Sequence, residues 1–379
     1  MKIAVNARLL LKDRLDGIGW FTFETMKRIT RDHPEHEFIF LFDRPFSKEF
    51  IFSGNITPRE VFPPARHPFL WYLWFERAVP GVLKETMADL FFSPDGFLSL
   101  SSDIPSVAVI HDINFHHRPE DLPFWTSRYY RFFFPRFAAR ADRIITVSNY
   151  SKRDIISSYN IDEKKIFVAH NGANTLFTPL SEAEKTLTRE QFSGGSDFFV
   201  FVGSLYPRKN IPGILKAFDQ FRSSVRGDFK MLIVGEEMVL TTPIRHALRG
   251  MTHRKDVIFT GRLTPEQLRQ VYGASVALVF VPFFEGFGIP VLEAMNCDTA
   301  VLASTVTSVP EVAGDAACYA DPHDHTSIVE GMGKITGDND YRDQLITAGR
   351  EQRKKFSWDN TARIVWQVIE EVHNQFQGV

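Results

Sequence analysis

Cysteine is nearly missing from this sequence: Cys297 and Cys318 are the only two in 379 residues, with no C-x-x-C spacing. That excludes a disulfide scaffold and fits a reducing cytosol. Excess charge is missing too. Lys plus Arg total 44 against 46 Asp plus Glu, a formal net charge of -2, so no overall basicity argues for nucleic acid. No apolar run reaches the length of a membrane-spanning helix, and the opening Met1 to Arg8 carries charge inside a strand-like run. The chain is therefore expected to be neither exported nor membrane-spanning, and to sit in the cytoplasm. No repeat of solenoid length is present either.

What is present is ordinary in amount, with one exception. Hydrophobic residues at 44% and charged residues at 24% describe a globular protein, and the length suits about two domains, each able to bury its own core. The exception is 36 phenylalanines, which bring the aromatic share to 13% and make aromatic surface worth looking for.

The stretch that organises the rest is Phe284-Glu285-Gly286-Phe287-Gly288-Ile289-Pro290-Val291-Leu292-Glu293-Ala294-Met295. Val276 to Val281 before it is short, apolar and rich in β-branched residues, the pattern of a strand buried on both faces of a parallel sheet. Pro290 suits the first turn of a following helix, where its missing N–H costs nothing. Glu285 to Gly288 then form a strand-to-helix loop at the carboxyl end of a sheet. Open α/β folds bind ligands there, and a helix N-terminus offers free N–H groups to an anion such as a diphosphate. Gly286 and Gly288 let backbone come close to a ligand, and Glu285 and Glu293 can accept hydrogen bonds from hydroxyls. Phosphate plus hydroxyls points to a nucleotide-sugar. The same residues are also favourable through turn geometry and the helix dipole alone.

Other strand ends carry polar residues in similar positions. Lys2 to Arg8 reads as a strand, followed by a glycine loop, Leu15 to Trp20, and a helical pattern from Phe21 to Ile29. Gly17 and Gly19 there suit a phosphate or simply a tight turn; Thr22 stands where a third fingerprint glycine would be. Glu37 to Phe42 and Leu90 to Ser93 read as strands, as does Val107 to Ile110, which ends at His111-Asp112. His111 is placed as a site residue would be, or is satisfied by a loop carbonyl. His116 and His117 make a metal conceivable, but no third ligand has recognisable spacing. Phe198 to Val202 leads into Gly203, then Arg208-Lys209-Asn210 before a helix from Ile211. Two adjacent cations at a strand end suit a diphosphate leaving group, although charged loops are common.

The aromatics cluster in 69–77 and 124–137. Helical spacing puts Trp125, Tyr129, Phe132, Phe133 and Phe137 toward a core, and leaves Tyr130 and Phe134 outside that stripe among Arg128, Arg131 and Arg136. Core packing or a subunit contact is the more ordinary reading; an amphipathic cationic surface resting on a bilayer is the other.

Glu285 and Glu293, seven residues apart around Gly-Phe-Gly-Ile-Pro, resemble the E-x7-E signature of retaining glycosyltransferases of family four, which have the GT-B fold. Nearly the whole chain shares in the resemblance, most strongly 199–322 and least 44–89. His111-Asp112 resembles the family's His-Asp element, Ala141 to Ser148 its ADxIITVS stretch, and Gly203 to Asn210 its glycine-to-Lys-Asn element. Two departures stand out. His170 takes the place of a common proline before Asn171-Gly172, and Thr305 to Val309 lacks the usual glycines.

The resemblance implies an α/β GT-B fold: two Rossmann-like domains facing a cleft, with the C-terminal helix crossing back to the first. The expected domains are 1–178 for the acceptor, a polar linker at 179–197, 198–356 for the nucleotide-sugar, and 357–379 as the returning helix. His111, Arg208, Lys209 and Glu285 are the implied catalytic residues, with Arg208 and Lys209 on the phosphates, Glu285 on sugar hydroxyls and His111 near the reacting face. Donor contacts fall on Gly17, Gly19, Gly203, Arg262 at the base, Gly286, Phe287, Gly288 and Ile289, with Glu293 on the ribose. The implied reaction is same-face transfer guided by the leaving phosphate, without a protein nucleophile, metal or cofactor; no D-x-D signature stands at a strand end. Gly17-Ile18-Gly19 and Ser308 to Glu311 look most like bacterial polysaccharide mannosyltransferases. Hence the expectation is a GDP- or UDP-hexose donor, GDP-mannose first, and a glycan or lipid-linked glycan acceptor, with peripheral membrane contact at the inner face. The rivals are a GT-B nucleotide-sugar epimerase and a non-catalytic nucleotide-binding scaffold.

Overall fold

The computed structural model of the chain describes residues 1–235 and 242–377. It divides into two compact units, one of Met1–Asn171 with Ser357–Val379 and one of Gly172–Phe356. Among the described residues no helix is long and apolar enough to cross a membrane.

The first unit is built on seven parallel strands: β1 (Lys2–Asn6), β2 (Glu37–Phe42), β3 (Ile56–Glu60), β4 (Leu90–Ser93), β5 (Ser106–Val109), β6 (Arg143–Thr146) and β7 (Ile166–Val168). They lie in the order β3-β2-β1-β4-β5-β6-β7. Ala4 on β1 pairs with Ile39 on one side and Phe91 on the other. Apart from the polar edge strand β3, the strands are largely apolar because helices cover both faces, and Phe38 to Phe42 are essentially inaccessible. The order reverses at β1 and β4, the kind of switch point beyond whose carboxyl ends such sheets bind ligands.

Two helices far apart in sequence close one side of this unit. The Gly17–Asp32 helix buries Phe21, Met26 and Ile29, and the Trp358–Gln377 helix buries Val365, Val368, Ile369 and Val372. Arg28 bonds Asp359 at 2.5 Å and Arg143 bonds Glu371 at 2.6 Å, so both ends of the last helix are tied to the first unit. Trp366 lies under a stack of His33, at 3.8 Å between ring centroids, and His36, at 5.1 Å. His33, Glu35 and His36 are close enough to recruit a metal ion by distance alone. The two imidazoles, however, are nearly parallel, 20° apart, so their in-plane lone pairs do not converge on a common point.

The second unit repeats the plan with six parallel strands: β8 (Asp197–Val202), β9 (Phe229–Val234), β10 (Val257–Gly261), β11 (Ala277–Phe280), β12 (Ala300–Ser304) and β13 (Cys318–Ala320). Their order is β10-β9-β8-β11-β12-β13, with the reversal between β8 and β11.

Three expectations need correction. The polar stretch 179–197 is not an extended linker, because Glu182–Ser193 is a helix started by a capping box in which Ser181 and Glu184 bond each other's backbone. That helix belongs to the second unit, where Arg189 reaches the carbonyl of Ala274. Gly17 and Gly19 do not lie in a loop before the helix but in its first turn, since Asp16 caps it by accepting from the Gly19 N–H at 2.8 Å. The third concerns the Phe124–Arg140 helix, which turns Ser127, Tyr129, Phe134, Phe137 and Ala138 inward. Trp125, expected in the core, is 68% exposed and Phe132 is 52% exposed, while Phe134, expected outside, is 5% exposed.

Candidate active site

Geometry at the β8/β11 switch point is set by backbone first. Gly203 and Gly235 end β8 and β9, and a Cβ built on Gly235 would meet the Gly203 carbonyl oxygen at 2.1 Å, so only glycine fits. The Gly203 N–H donates to Val234 and the Gly235 N–H to Gly261, which locks three strand ends side by side. Arg262 follows Gly261 on the exposed rim.

Past Gly203 the chain makes a short helical turn at Pro207–Lys209 and stops at Asn210, which adopts the left-handed conformation with φ +60°. Asn210 holds that strained shape because its amide donates to the carbonyls of Val281 and Pro322 at 3.1 and 2.9 Å. The turn therefore cannot drift from the end of β11, and the carbonyl of Arg208 accepts from the Phe283 N–H at 2.8 Å. Sequence reasoning placed Asn210 in the Lys-Asn element without a role and gave Gly235 none; an Asn directly before a helix and a glycine closing a strand were the available signals.

Onto this frame the sequence hangs a charged triad. Glu285 receives Arg208 Nη1 on Oε2 at 3.0 Å and Lys209 Nζ on the same oxygen, while Arg208 also donates to the Phe284 carbonyl at 3.2 Å. Lys209 is 6% exposed and rests beside the Phe280 ring, 5.0 Å from its centroid. Burial alone would raise the Glu285 carboxyl, but Lys209 and Arg208 outweigh it and hold it below the ordinary glutamate value. The carboxylate is thus ionised and aimed.

The loop itself is braced from the segment that lacks the expected glycines. Thr307 Oγ1 accepts the Glu285 N–H at 3.2 Å, and Ser308 Oγ donates to the carbonyls of Glu285 and Phe287 at 2.8 and 3.1 Å. Thr307 sits at φ +61°, an unfavourable region for a β-branched residue. Its side chain thereby performs a positioning task that glycine could not. Gly288 caps the Ile289–Asn296 helix at φ +108°, and Gly286 and Gly288 are both buried. The buried Phe287 ring packs edge-on against Phe356, 5.6 Å between centroids.

Glu293, two turns on, accepts from Tyr272 Oη at 2.8 Å. Burial pushes its carboxyl up to about 7, only partly offset by that hydrogen bond, and burial likewise keeps the Tyr272 phenol protonated. Two glutamates in one site therefore differ in charge state: Glu285 is held ionised by cations, and Glu293 is poised near neutrality.

His111 lies in the first unit at the end of β5. Its Nε2–H donates to the Pro94 carbonyl at 2.9 Å, and the Phe21 ring stands edge-on at 5.0 Å. Burial lowers its pKa despite that carbonyl and despite Asp112 and Asp16 nearby. The ring is neutral and, with a carbonyl at Nε2, carries its lone pair on Nδ1. Gly19 is buried close to the Leu9 carbonyl, 3.0 Å from where a Cβ would stand, whereas Gly17 is exposed at the helix start.

Sequence reasoning also overlooked a buried network at the β1/β4 switch point. Asp95 accepts from Arg8 Nε at 2.6 Å and from Asn6 at 2.7 Å, with the Arg8 guanidinium over Phe97 at 4.4 Å. Asn6 and Arg8 stood in the sequence as the polar end of the first strand, but nothing local announced their partner, 89 and 87 residues away.

Comparison with known proteins gives the family and the fold. Residues 183–352 match the family "Glycosyl transferases group 1" and residues 15–176 match "Glycosyltransferase Family 4". The chain is 31% identical over 365 residues to O-antigen chain mannosyltransferase B of Escherichia coli, covering 92% of this chain and 94% of that protein. The chain belongs to glycosyltransferase family 4. This glycosyltransferase also matches the serotype-specific mannosyltransferase WbdA of Escherichia coli at 29% identity over 229 residues, 59% of this chain but 28% of WbdA. In fold it resembles the crystal structure of Anabaena HepE in complex with UDP and glucose, with a TM-score of 0.76 and 15% identity, covering 97% of this chain and 99% of that one. The family-4 chain thus has the GT-B architecture of two Rossmann-like units.

Proposed function

We propose that this chain is a retaining, metal-independent mannosyltransferase that moves mannose from GDP-mannose to a hydroxyl of a glycan, lipid-linked in the O-antigen manner. The observation that carries the chemistry is the Arg208–Lys209–Glu285 triad fixed at the β8/β11 switch point. The sugar rests on the similarity to O-antigen chain mannosyltransferase B over nearly all of both chains.

The two cations are placed to receive a diphosphate, whose charge grows as the glycosidic bond breaks; fixed donors that need no reorganisation stabilise such a leaving group most. In this reading a phosphate oxygen joins Glu285 around the Lys209 ammonium. Glu285, kept ionised, accepts from sugar hydroxyls and fixes the ring against the phosphates. The neutral His111 offers Nδ1 to a hydroxyl, and Glu293 grips the ribose. No side chain is assigned as nucleophile: the departing phosphate oxygen accepts the acceptor hydroxyl's proton on the same face of the sugar. Gly203, Gly286, Gly288 and Ile289 are assigned to the donor through their backbone, Arg262 to its base, and Gly17 and Gly19 to donor binding as well. Peripheral membrane contact in the cytoplasm follows from a lipid-linked acceptor.

Calorimetric titration with GDP, UDP and ADP, followed by donor hydrolysis with and without a chelator, tests this reading. GDP binding more tightly than the others, with GDP-mannose hydrolysed slowly and equally in chelator, is the expected result. Preference for UDP would replace the donor, and loss of turnover in chelator would end metal independence.

A further inference from the structure

Glu293 differs from Glu285 in how the protein answers its charge. Glu285 is held by two cations, whereas the Glu293 carboxyl accepts from Tyr272 Oη at 2.8 Å and, among the described residues, from no other group. Tyr272 is wholly buried, while Glu293 keeps part of its surface accessible. A glutamine at 293 would satisfy the phenol equally well and spare the cost of burying a carboxyl. The carboxyl therefore serves a partner that the protein itself does not supply.

Tyr272 is fastened like a strut. It lies in the Pro265–Ala274 helix, which starts in a capping box of Thr264 and Gln267 and ends so close to its neighbour that a Cβ on Gly273 would meet Leu180 Cγ at 2.7 Å. Its carbonyl accepts from Thr299 Oγ1 at 2.7 Å, and Phe177 stands edge-on to its ring at 5.9 Å. Glu293 lies within the Ile289–Asn296 helix and Thr299 just past its end, so Tyr272 grips that helix at two levels. The charges nearby are spent elsewhere. Arg269, one turn earlier on the tyrosine's own helix, bonds Thr178, Pro179 and Glu184, and Arg353 bonds Met295, Asn296 and Asp298. The Cys297 thiol is pushed up by burial and stays neutral.

A glutamate side chain has a broad terminal torsion and loses rotamer freedom when it grips a ligand. A bond to Oε2 settles the plane of the carboxyl beforehand and leaves lone pairs on both oxygens for two neighbouring hydroxyls. We infer that Tyr272 is a positioning residue of the donor site: its phenol sets the Glu293 carboxyl for the adjacent 2′ and 3′ hydroxyls of the donor's ribose, so that ribose recognition passes through a side chain that touches no ligand. The inference rests on the nucleotide-sugar reading above. The phenol has a second effect, because its hydrogen bond favours the ionised form of a carboxyl that burial raises to about 7.

The test is calorimetric titration across about pH 6 to pH 9 with GDP, or with UDP or ADP should one of them bind more tightly, and with the matching 2′,3′-dideoxy form. At pH 8 the unaltered chain should hold the ribose form roughly tenfold more tightly, the worth of hydrogen bonds to a charged group. Tyr272→Phe removes one oxygen. It should cut that preference to about twofold and move the rise of affinity to higher pH, with affinity for inorganic pyrophosphate unchanged. Phe177→Leu, which loosens the same ring but leaves its hydrogen bond, should keep both the preference and the pH profile. A preference retained by Tyr272→Phe, or lost equally in Phe177→Leu, overturns the inference; so does a fall of pyrophosphate affinity in Tyr272→Phe, which would mean general loosening of the site. Equal affinity of the unaltered chain for the ribose and dideoxy forms removes Glu293 from the ribose and Tyr272 with it. Binding of none of the three nucleotides overturns the nucleotide-sugar reading itself, whereas a ribose preference shared by every variant overturns the role of Tyr272 alone.

Discussion

The end of β11 and the end of β5 pose the same problem, a polar group emerging from an apolar strand, and solve it in opposite ways. At β11, Glu285 is balanced by two cations and kept charged; at β5, His111 is given a carbonyl and an aromatic edge and kept neutral. Burial opposes charge at both places. It wins at His111, where the bonded neighbour is a carbonyl and no carboxylate bonds the ring, and loses at Glu285, where two full charges stand within bonding distance. Glu285 therefore stands ionised among cations, and His111 stands neutral with an acceptor atom at Nδ1; the reaction proposed above gives the first to the diphosphate end of the donor and the second to a hydroxyl.

The sharpest way to break that contrast is Glu285→Gln, which keeps the shape and removes the charge. Transfer should fall about 10²–10³-fold, as for loss of a fixed electrostatic contact in a transition state, while GDP still binds in calorimetry. Turnover within a fewfold of normal would take Glu285 out of the chemistry. Lys209→Met removes a phosphate partner instead, so nucleotide diphosphate affinity should drop by roughly 1.5–3 kcal/mol, with nucleoside affinity unmoved. His111→Asn should cost about tenfold in kcat and leave GDP affinity unchanged, because the neutral ring is asked only for a hydrogen bond. A parallel loss of GDP binding would merge the two sites.

The mildest effect lies with Glu293. Its carboxyl titrates near 7 in the folded chain, so a ribose hydroxyl meets a full acceptor only above that value. GDP affinity should rise a few-fold from pH 6 to pH 8 and then level off, and Glu293→Gln should flatten the rise. Stability moves the other way. A carboxyl raised in the fold contributes fully below its unfolded value of about 4.5, and that contribution is lost as pH climbs through about 7. Thermal unfolding of the unaltered chain and of Glu293→Gln across that window checks the sign.

Where the sequence was legible, the reason was local. Strands such as Glu37–Phe42 and Leu90–Ser93 run as read, because a strand buried on both faces is a simple apolar run bounded by turns. The Glu285 loop announced itself through glycines, a proline and a preceding strand. Strands β3, β12 and β13 were not separated from their surroundings: Ile56–Glu60 is a polar edge strand with Pro58 inside, and Cys318–Ala320 is three residues long. The Phe124–Arg140 helix failed for the opposite reason. With apolar rings at most positions of 129–134, several stripes fit a 3.6-residue period equally well, and only packing against Phe97 and Phe115 chooses among them. Composition misled again at Glu182–Ser193, where polar residues hide a helix that buries Thr188 and Ser193 rather than leucine, with Leu187 turned outward. The triad was foreseen as three residues but not as a bonded unit; its frame of Asn210, Thr307 and Ser308 acts through tertiary hydrogen bonds that no window of sequence contains.

The last helix completes the first unit after the chain has already traversed the whole of the second. Residues 172–356 are contiguous and contain all that their sheet needs, whereas the Gly17–Asp32 helix keeps its apolar side open until Trp366 and the rest of the last helix reach it. A chain cut before Ser357 should therefore carry a second unit able to fold and a first unit still in need of a chaperone.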